Sequence, residues 1–515
     1  MKILEFNSIR KDLRNKIKFA LCIPSIYRVG MSSLAMHTIY NILNSYKDVS
    51  CERVFLPIDN STPYSLESNQ PLEKFDFIAF SLHYEINYTN LLKILLKSNI
   101  PIYSKERNST HPIIIAGGPL SANPLPLSSF IDLFVIGDFE PIAKKIVDAY
   151  NNAKEKQDFL EQCANFRGFY IPEYVNGKVK KICEYNLDNC PHPISQIVPK
   201  VEPKSPFFPS LGKSFLLEIS RGCNRGCRFC LIGYQGRPFR FRSYKQIQQI
   251  ISDGIESTQL KKVSLIGSGL SDHPSLEDIC WYIVNNGLEL SLPSLRVDCI
   301  TDDLLQALKK GNQNSLTLAP EVGTERLLKV IRKGFSINNV LTAINSVKQN
   351  RIMNLKLYFM LNLPTETSDD VKAIGDLVQK VIQVGFRGSN LKLSINSFIP
   401  KPHTPFQWET TIDLDILRNK IKKLKKIIKV KTNFLDPRWA KIQTYLSLGD
   451  TEFGDIISMA AKLGGGLGAW NKVLRDSDFT PKTYKLDFNL PWDFVELEIR
   501  KKDVLIEYMK AKKDN

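Results

Sequence analysis

The sequence predicts an α/β protein with three parts: an N-terminal doubly wound, Rossmann-like domain, a partial (β/α)6 barrel of TIM type, and a helical, basic C-terminal extension. Three observations lead there. The strand candidates are continuous apolar runs, as expected for parallel sheets covered on both faces. They alternate with helix-like segments in two separate blocks, the pattern of stacked strand–helix units. At 515 residues the chain has room for two to four domains of about 150 residues each.

The first block spans residues 1–155. Lys18–Ile23, Asp76–Leu82, Pro112–Ala116 and Asp132–Ile136 read as buried strands, the third running into Gly117-Gly118-Pro119. Ser33–Asn44 and Tyr88–Ser98 carry apolar residues at helical spacing. A binding crevice is expected at the carboxyl ends of these strands. Seven prolines from Pro172 to Pro209 mark residues 156–210 as a linker with one small hairpin, Gly168–Pro172 against Gly177–Ile182.

The second block spans 211–410. Its strand candidates are Phe215–Ile219, Lys262–Ile266, Leu295–Asp298, Ser315–Leu318, Leu355–Leu361 and Leu391–Phe398, with amphipathic segments such as Thr301–Lys310, Thr324–Arg332 and Ser368–Val384 between them. Chemistry in such a barrel sits at the carboxyl strand ends. Residues 411–515 form the extension. There Leu417, Ile421, Leu424 and Ile428 fall on one helix face. Arg418, Lys420, Lys422, Lys423, Lys425, Lys426, Lys429 and Lys431 cover the rest, with no acid among them.

Composition excludes several classes. With 43% hydrophobic and 24% charged residues, disorder is not the main state. No apolar run approaches the ~18 residues of a membrane helix. The segment Phe19–Pro24 is shorter than a signal core of about 7–15 residues. A soluble, cytoplasmic protein is expected. The net charge of +17 suits an anionic partner, and a lysine-rich composition accounts for it equally well.

Of ten cysteines, Cys22, Cys51, Cys163, Cys183, Cys190, Cys280 and Cys299 are scattered. Cys223, Cys227 and Cys230 stand together in Arg221-Gly222-Cys223-Asn224-Arg225-Gly226-Cys227-Arg228-Phe229-Cys230, directly after a strand. Three thiolates hold three corners of a cubane iron–sulfur cluster and leave the fourth iron open, as a reactive site needs. A closed electron-transfer cluster wants a fourth thiolate nearby. A structural zinc wants a fourth ligand, for which His273 is the candidate in range.

This loop resembles that of the radical S-adenosylmethionine (SAM) superfamily. Glu218-Ile219-Ser220-Arg221-Gly222 before it and Arg237-Pro238 after it are similar too, as are Leu265-Ile266-Gly267-Ser268-Gly269 with His273-Pro274, Ser291–Asp298, Ala319–Arg326 and Phe398–Trp408. Val29–Ser32, Phe80-Ser81-Leu82 with Tyr84-Glu85, Gly117-Gly118-Pro119 with Asn123-Pro124, and Gly137–Glu140 resemble members with an N-terminal cobalamin-binding-like domain. Two departures stand out. Asn362-Leu363-Pro364 replaces Gly-Leu-Pro, and the Asp-x-His-x-x-Gly signature is absent from Pro24–Gly30, with His37 on the following helix.

The resemblance implies a 4Fe–4S cluster on Cys223, Cys227 and Cys230. It implies SAM on the open iron, reductive cleavage to a 5′-deoxyadenosyl radical, and an external electron donor of flavodoxin or ferredoxin type. It also implies Phe229, Gly267, Ser268, Arg296 and Glu321 around SAM, and cobalamin as a further candidate cofactor bound without the histidine motif. Gly267 and Ser268 also suit a plain turn, Glu321 a helix-start acid, and Arg296 and Arg326 scaffold ion pairs. Arg237, Arg240 and Arg242 suit either an anionic group or anchoring of the loop. Three functions follow: a radical SAM enzyme modifying a macromolecule such as RNA, by methylation or a related reaction; one acting on a small metabolite or peptide; and a non-catalytic iron–sulfur protein that binds nucleic acid. The first is preferred. The basic helix suits phosphate tracking, and no membrane partner is expected.

Overall fold

The computed structural model describes residues 3–174, 177–409, 413–477, 482, 484–486 and 489–513. The N-terminal sheet contains β1 (Ile17–Ile23), β2 (Val49–Phe55), β3 (Phe77–Ser81), β4 (Ile113–Gly117), β5 (Leu133–Val135) and β6 (Phe169–Tyr170). Their order is β2-β1-β3-β4-β5-β6, all parallel except β6. The strand order reverses between β1 and β3, so the binding crevice of this doubly wound sheet lies at their carboxyl ends. Helices α1 (Leu34–Ser45), α2 (Asn87–Lys97), α3 (Ala143–Asn152) and α4 (Lys156–Ala164) accompany it.

Two expectations for this half are corrected. β2 has no counterpart in the sequence reading, because Ser50, Glu52 and Arg53 interrupt its apolar run. The strand is nevertheless buried throughout. Arg53 is wholly buried and ion-paired at 2.6 Å to both Glu5 and Glu67, which makes its burial tolerable. The hairpin at 168–182 does not form. Phe169–Tyr170 instead caps the sheet edge antiparallel to β5, while Val179–Lys180 pairs with Val495–Glu496. Burying Phe169 and Tyr170 on an edge with free backbone groups satisfies both, and α4 further shows that 156–210 is not a plain linker.

The barrel sheet opens with β7 (Phe215–Glu218), β10 (Lys262–Ile266) and β11 (Glu289–Ser291), after which Leu295 bridges to Leu318. It continues through β12 (Ser315–Glu321), β13 (Asn354–Leu361), β14 (Leu391–Ser397) and β15 (Lys431–Phe434). All these pairings are parallel. Between β7 and β10, β8 (Ser220–Arg221) pairs antiparallel with β9 (Arg240–Phe241). The helices of this half are α5 (Ile232–Gln235), α6 (Tyr244–Thr258), α7 (Leu276–Asn285), α8 (Asp302–Lys310), α9 (Glu325–Val330), α10 (Ile337–Gln349) and α11 (Ser368–Val384).

Here too the sequence reading needs two changes. The third strand lies at 289–291 rather than 295–298. Pro293 lacks an N–H and interrupts the ladder, so that only Leu295 resumes it and Val297–Cys299 forms a single 3-10 turn. The basic segment is no appendage. Helix α12 (Leu414–Ile427) and β15 complete a further barrel unit, with Leu417, Leu424 and Ile428 buried in the barrel core. A Cβ added to Gly375 of α11 would lie 2.6 Å from Ile427, so that glycine sets the close approach of the two helices.

The remaining helices part company. From α13 (Pro437–Leu448), α14 (Phe453–Lys462) and α15 (Leu467–Asp476), residues such as Tyr445, Phe453, Ile457 and Trp470 join the core of the N-terminal domain. α16 (Lys501–Lys513) returns to the barrel, where Tyr508 packs with Trp408 and Trp492. Among the described residues, no helix is long and apolar enough to cross a membrane.

Candidate active site at the cysteine loop

The β8/β9 ribbon closes residues 222–239 into a loop above the first barrel strand. Gly222 has φ +82°, and a Cβ there would meet the Gly236 carbonyl at 2.2 Å, so only glycine fits this turn. The Arg228 N–H donates to the Ile331 carbonyl at 3.0 Å, and its buried guanidinium donates to the Val330 carbonyl at 3.0 Å and to Glu507 at 3.2 Å. Tyr234 donates to the Gly226 carbonyl at 3.1 Å. The loop is thus held on several sides.

Cys223, Cys227 and Cys230 are all free thiols. Burial pushes Cys230 up to about 11, and the charges of Cys227 and Cys223 add to the effect. Burial also raises Cys227, opposed by the Lys333 ammonium. Poorly solvated Cys227 and Cys230, with Cys223 on the same loop, are suited to a cationic metal group, which takes the thiols as thiolates. The residues therefore fit an iron–sulfur cluster. Among the described residues no three Cys, His, Asp or Glu side chains converge closely enough to hold one ion. His273 has no free lone pair for zinc: its Nδ1 accepts from the Ser275 N–H at 3.1 Å, so Nε2–H donates to the Arg242 carbonyl at 2.9 Å.

Beside the thiols stands a group that the sequence only half reveals. Lys333 is buried and places its Nζ 2.8 Å from Glu321 Oε1, 5.7 Å from the ring centre of Phe229 and 5.9 Å from that of Phe335. Arg296 donates to the Lys333 carbonyl at 2.6 Å and to Asp298 at 2.9 Å. Glu321 ends β12 at a register irregularity with φ +71°. It sits on the strand, while Thr324 caps the next helix, so it is not a helix-start acid. Such backbone strain in a non-glycine residue is held only where the surroundings enforce it. Cys227, Phe229, Arg296 and Glu321 thus come together around Lys333, which no motif flags.

Gly267 and Ser268 lie where β10 ends. A Cβ at Gly267 would be 2.4 Å from Ser220 Oγ, a buried hydroxyl with no partner, and Ser268 is exposed. Asn362, where a glycine was the expected residue, takes φ +64°, a conformation asparagine tolerates. Arg326 donates to the Thr365 carbonyl at 2.9 Å and pairs with Asp370, a scaffold role.

The arginines after the loop are mostly anchors. Arg240 is buried between Asp138 and the Glu184 carbonyl at 2.7 Å, and Arg242 donates to the carbonyls of Leu187 at 2.8 Å and Cys190 at 2.9 Å. Neither is available to an anion. Arg221 pairs with Glu140 at 2.8 Å and Asp138 at 3.1 Å. The Gly137–Glu140 turn therefore clamps the N-terminal domain onto the base of the cysteine loop. Arg237 stays partly exposed, donating to the Gly233 carbonyl at 2.7 Å.

The crevice of the N-terminal sheet gives a different result. His37 is buried, with Nε2 3.3 Å from the Met31 carbonyl, and burial lowers it to about 4. In the Pro24–Gly30 loop, Gly30 abuts the Phe55 ring, which a Cβ would meet at 2.2 Å. Glu85 is bound by Lys401 and by Gln443 at 2.8 Å, and Asn123 donates to the Ser447 carbonyl at 3.0 Å. This loop does not fit a histidine-ligated corrinoid. An imidazole stands instead after β3, where His83 Nε2 lies 3.0 Å from Ser81 Oγ.

Comparison with known proteins follows the same division. Residues 35–172 match the family model for radical SAM proteins, N-terminal, and residues 217–378 that for the radical SAM superfamily. An uncharacterized protein of Methanocaldococcus jannaschii is 33% identical over 413 residues, 80% of this chain and 83% of that one. An uncharacterized methyltransferase of Pyrococcus horikoshii is 26% identical over 49% of this chain, which spans 53% of that protein. A tRNA-2-methylthio-N(6)-dimethylallyladenosine synthase of Buchnera aphidicola is 23% identical over 33% of this chain and 42% of its own. The solved radical SAM methyltransferase TsrM of Kitasatospora setae shares the fold, with TM-score 0.52, 11% identity and coverage of 78% and 76%. One family match covers the N-terminal sheet, the other contains the cysteine loop and the strands that follow it, and a relative 33% identical spans 80% of the chain: the chain belongs to the radical SAM superfamily, whose enzymes use a 4Fe–4S cluster and SAM.

Proposed function

We propose that this radical SAM enzyme modifies RNA, by methylation or a related carbon-centred transfer. Cys223, Cys227 and Cys230 hold the cluster. Lys333, Glu321, Arg296, the Phe229 backbone and the turn at Gly267–Ser268 hold SAM. The single observation that carries the reading is the loop of three free thiols at the first strand's carboxyl end, with Lys333 and Glu321 beside it. When bound, cluster and SAM together supply a one-electron cleavage that releases a hydrogen-abstracting 5′-deoxyadenosyl radical. The chain's own part is placement. The Asp138–Arg240 and Arg228–Glu507 contacts keep the loop fixed, and the barrel core excludes water beneath it.

RNA as substrate is supported by charge and by kinship. Lys422, Lys423, Lys425 and Lys426 are exposed along α12, and Lys429 is exposed just beyond its end. At the start of that helix lies a cleft of about 310 Å³ lined by Leu414, Arg438, Lys441, Tyr445, Asn471 and Arg475. The tRNA-2-methylthio-N(6)-dimethylallyladenosine synthase of Buchnera aphidicola, similar over 33% of this chain, supports the same reading.

The test has two arms. Anaerobically reconstituted protein should hold about four irons and release 5′-deoxyadenosine on reduction, and replacing the three cysteines by Ala should abolish both. Mass spectrometry of RNA from cells with and without the gene should show one modified nucleoside lost. A change confined to metabolites or peptides would reject RNA. Any bound cobalamin should show no histidine-nitrogen splitting in its cob(II)alamin EPR spectrum from the Pro24–Gly30 side. Splitting that His37→Ala removes would contradict the reading of that loop, whereas splitting that only His83→Ala removes would place the ligand after β3.

A further inference from the structure

One wall of the cysteine loop also borders a cleft that the reading above leaves unused. It has a volume of about 540 Å³, and Arg228, Lys329, Arg332 and Lys510 line it against only two acids, Glu325 and Glu507. Glu507 is shared by three of those cations, Arg228 at 3.2 Å, Arg332 at 3.1 Å and Lys510 at 3.1 Å, so the cleft keeps a positive excess. The Arg332 and Lys510 side chains are 50% and 58% exposed, and Lys329 is exposed too. Arg237 extends the patch, since its guanidinium and that of Arg332 both come within 3.4 Å of a Cβ placed on Gly226.

The position matters as much as the charge. Arg228 lies between Cys227 and Phe229 in the chain, and its backbone N–H is tied to the Ile331 carbonyl at 3.0 Å. Phe335, also in the lining, brackets Lys333 together with Phe229. The cleft therefore borders the cysteine loop at Arg228, the residue that follows Cys227. A buried cluster needs a surface through which an electron enters, and clustered cations raise the local concentration and encounter rate of an acidic protein.

We propose that this cleft docks a small acidic electron-carrier protein, of flavodoxin or ferredoxin type, which passes one electron to the cluster. The carrier is oxidised by one electron, the cluster is reduced by one, and no bond is made or broken. The inference rests on the cysteines holding a cluster, as proposed above.

The experiment compares a protein reductant with a small one. Reconstituted parent, Lys329→Glu/Lys510→Glu, the same pair with Arg332→Glu, and a milder Lys329→Gln/Lys510→Gln are mixed anaerobically with reduced recombinant flavodoxin or with dithionite, and cluster bleaching is followed. Flavodoxin should reduce the charge-reversed variants roughly 10-fold or more slowly than the parent at low salt, and the parent's salt dependence should flatten. The Gln variant should fall between. Dithionite rates and iron content should be unchanged. Unaltered flavodoxin rates overturn the proposal, as does an equal loss with dithionite, which would mean a damaged loop. Loss of affinity for structured RNA with flavodoxin rates intact overturns it in favour of a phosphate-binding cleft. A parent protein with no reducible cluster overturns the cysteine assignment itself, which the dithionite arm reports separately.

Discussion

The two cationic stretches of this chain, Arg237–Arg242 and the helix α12, look alike in composition and are opposite in structure. Arg240 and Arg242 are buried to 5% and 1% and spend their donors on Asp138 and on backbone carbonyls. The lysines at 422, 423, 425, 426 and 429 are exposed. The difference follows from chemistry as much as from location. A guanidinium offers five fixed donors that several carbonyls and a carboxylate satisfy together, whereas an ammonium is strongly hydrated and stays in water unless a partner is held for it. Lys420 is the instructive exception. It is largely buried and lies 2.6 Å from the buried carboxylate of Glu366.

The largest effect that would break this comparison is at Arg240. Replacing it with Met leaves the buried Asp138 with Arg221, at 3.1 Å, as its remaining cation, and should cost about 3 kcal/mol in urea unfolding. Arg240→Met/Asp138→Leu should recover part of it. Equal stability of parent and single variant would place Arg240 with the solvated lysines. Next is Lys420→Gln, expected to lose about 1–3 kcal/mol because Glu366 keeps its burial without its partner. The same change at Lys422 should stay within about 0.5 kcal/mol.

Acid titration sharpens the contrast further. Burial pushes the Asp138 carboxyl up, but Arg221 and Arg240 outweigh it and hold the group below its ordinary value. A depressed carboxylate stabilises the fold above its unfolded value of about 3.9 and loses that contribution as pH falls through the lower folded value. Asp138→Asn should therefore remove part of the acid limb of the stability curve below about pH 4 while lowering stability at neutral pH. Replacing Lys422, Lys423, Lys425 and Lys426 all by Gln should leave folding intact, since all four are exposed. Its effect belongs to binding, where the log–log salt slope for structured RNA should flatten by about 0.9 per lost phosphate contact. An unchanged slope would make α12 a solvated face and weaken the RNA reading.

Much of this architecture was legible before the fold was known, and the misses share a cause. Phe77–Ser81 and Ile113–Gly117 announce themselves because a strand buried on both faces must be apolar along its length. Val49–Phe55 did not, because a buried arginine looks like a surface residue until Glu5 and Glu67 are seen beside it. Lys431–Phe434 was read as tail because an edge strand with exposed Lys431 and Asn433 carries no apolar run.

At the site the division is similar. The cysteine spacing, the glycine-bearing turn after the second barrel strand and the amphipathic face of α12 are local patterns, and local sterics and periodicity suffice to read them. By itself the sequence determined the two parallel-sheet units, the thiol loop and its position after a strand. Only the tertiary structure decided which charges are buried, that the Gly137–Glu140 turn clamps the loop, and that Lys333 stands between Phe229 and Glu321. Those choices depend on groups far apart in the chain, because a charge or a strained backbone is tolerable only where distant partners supply its hydrogen bonds and its counter-charge.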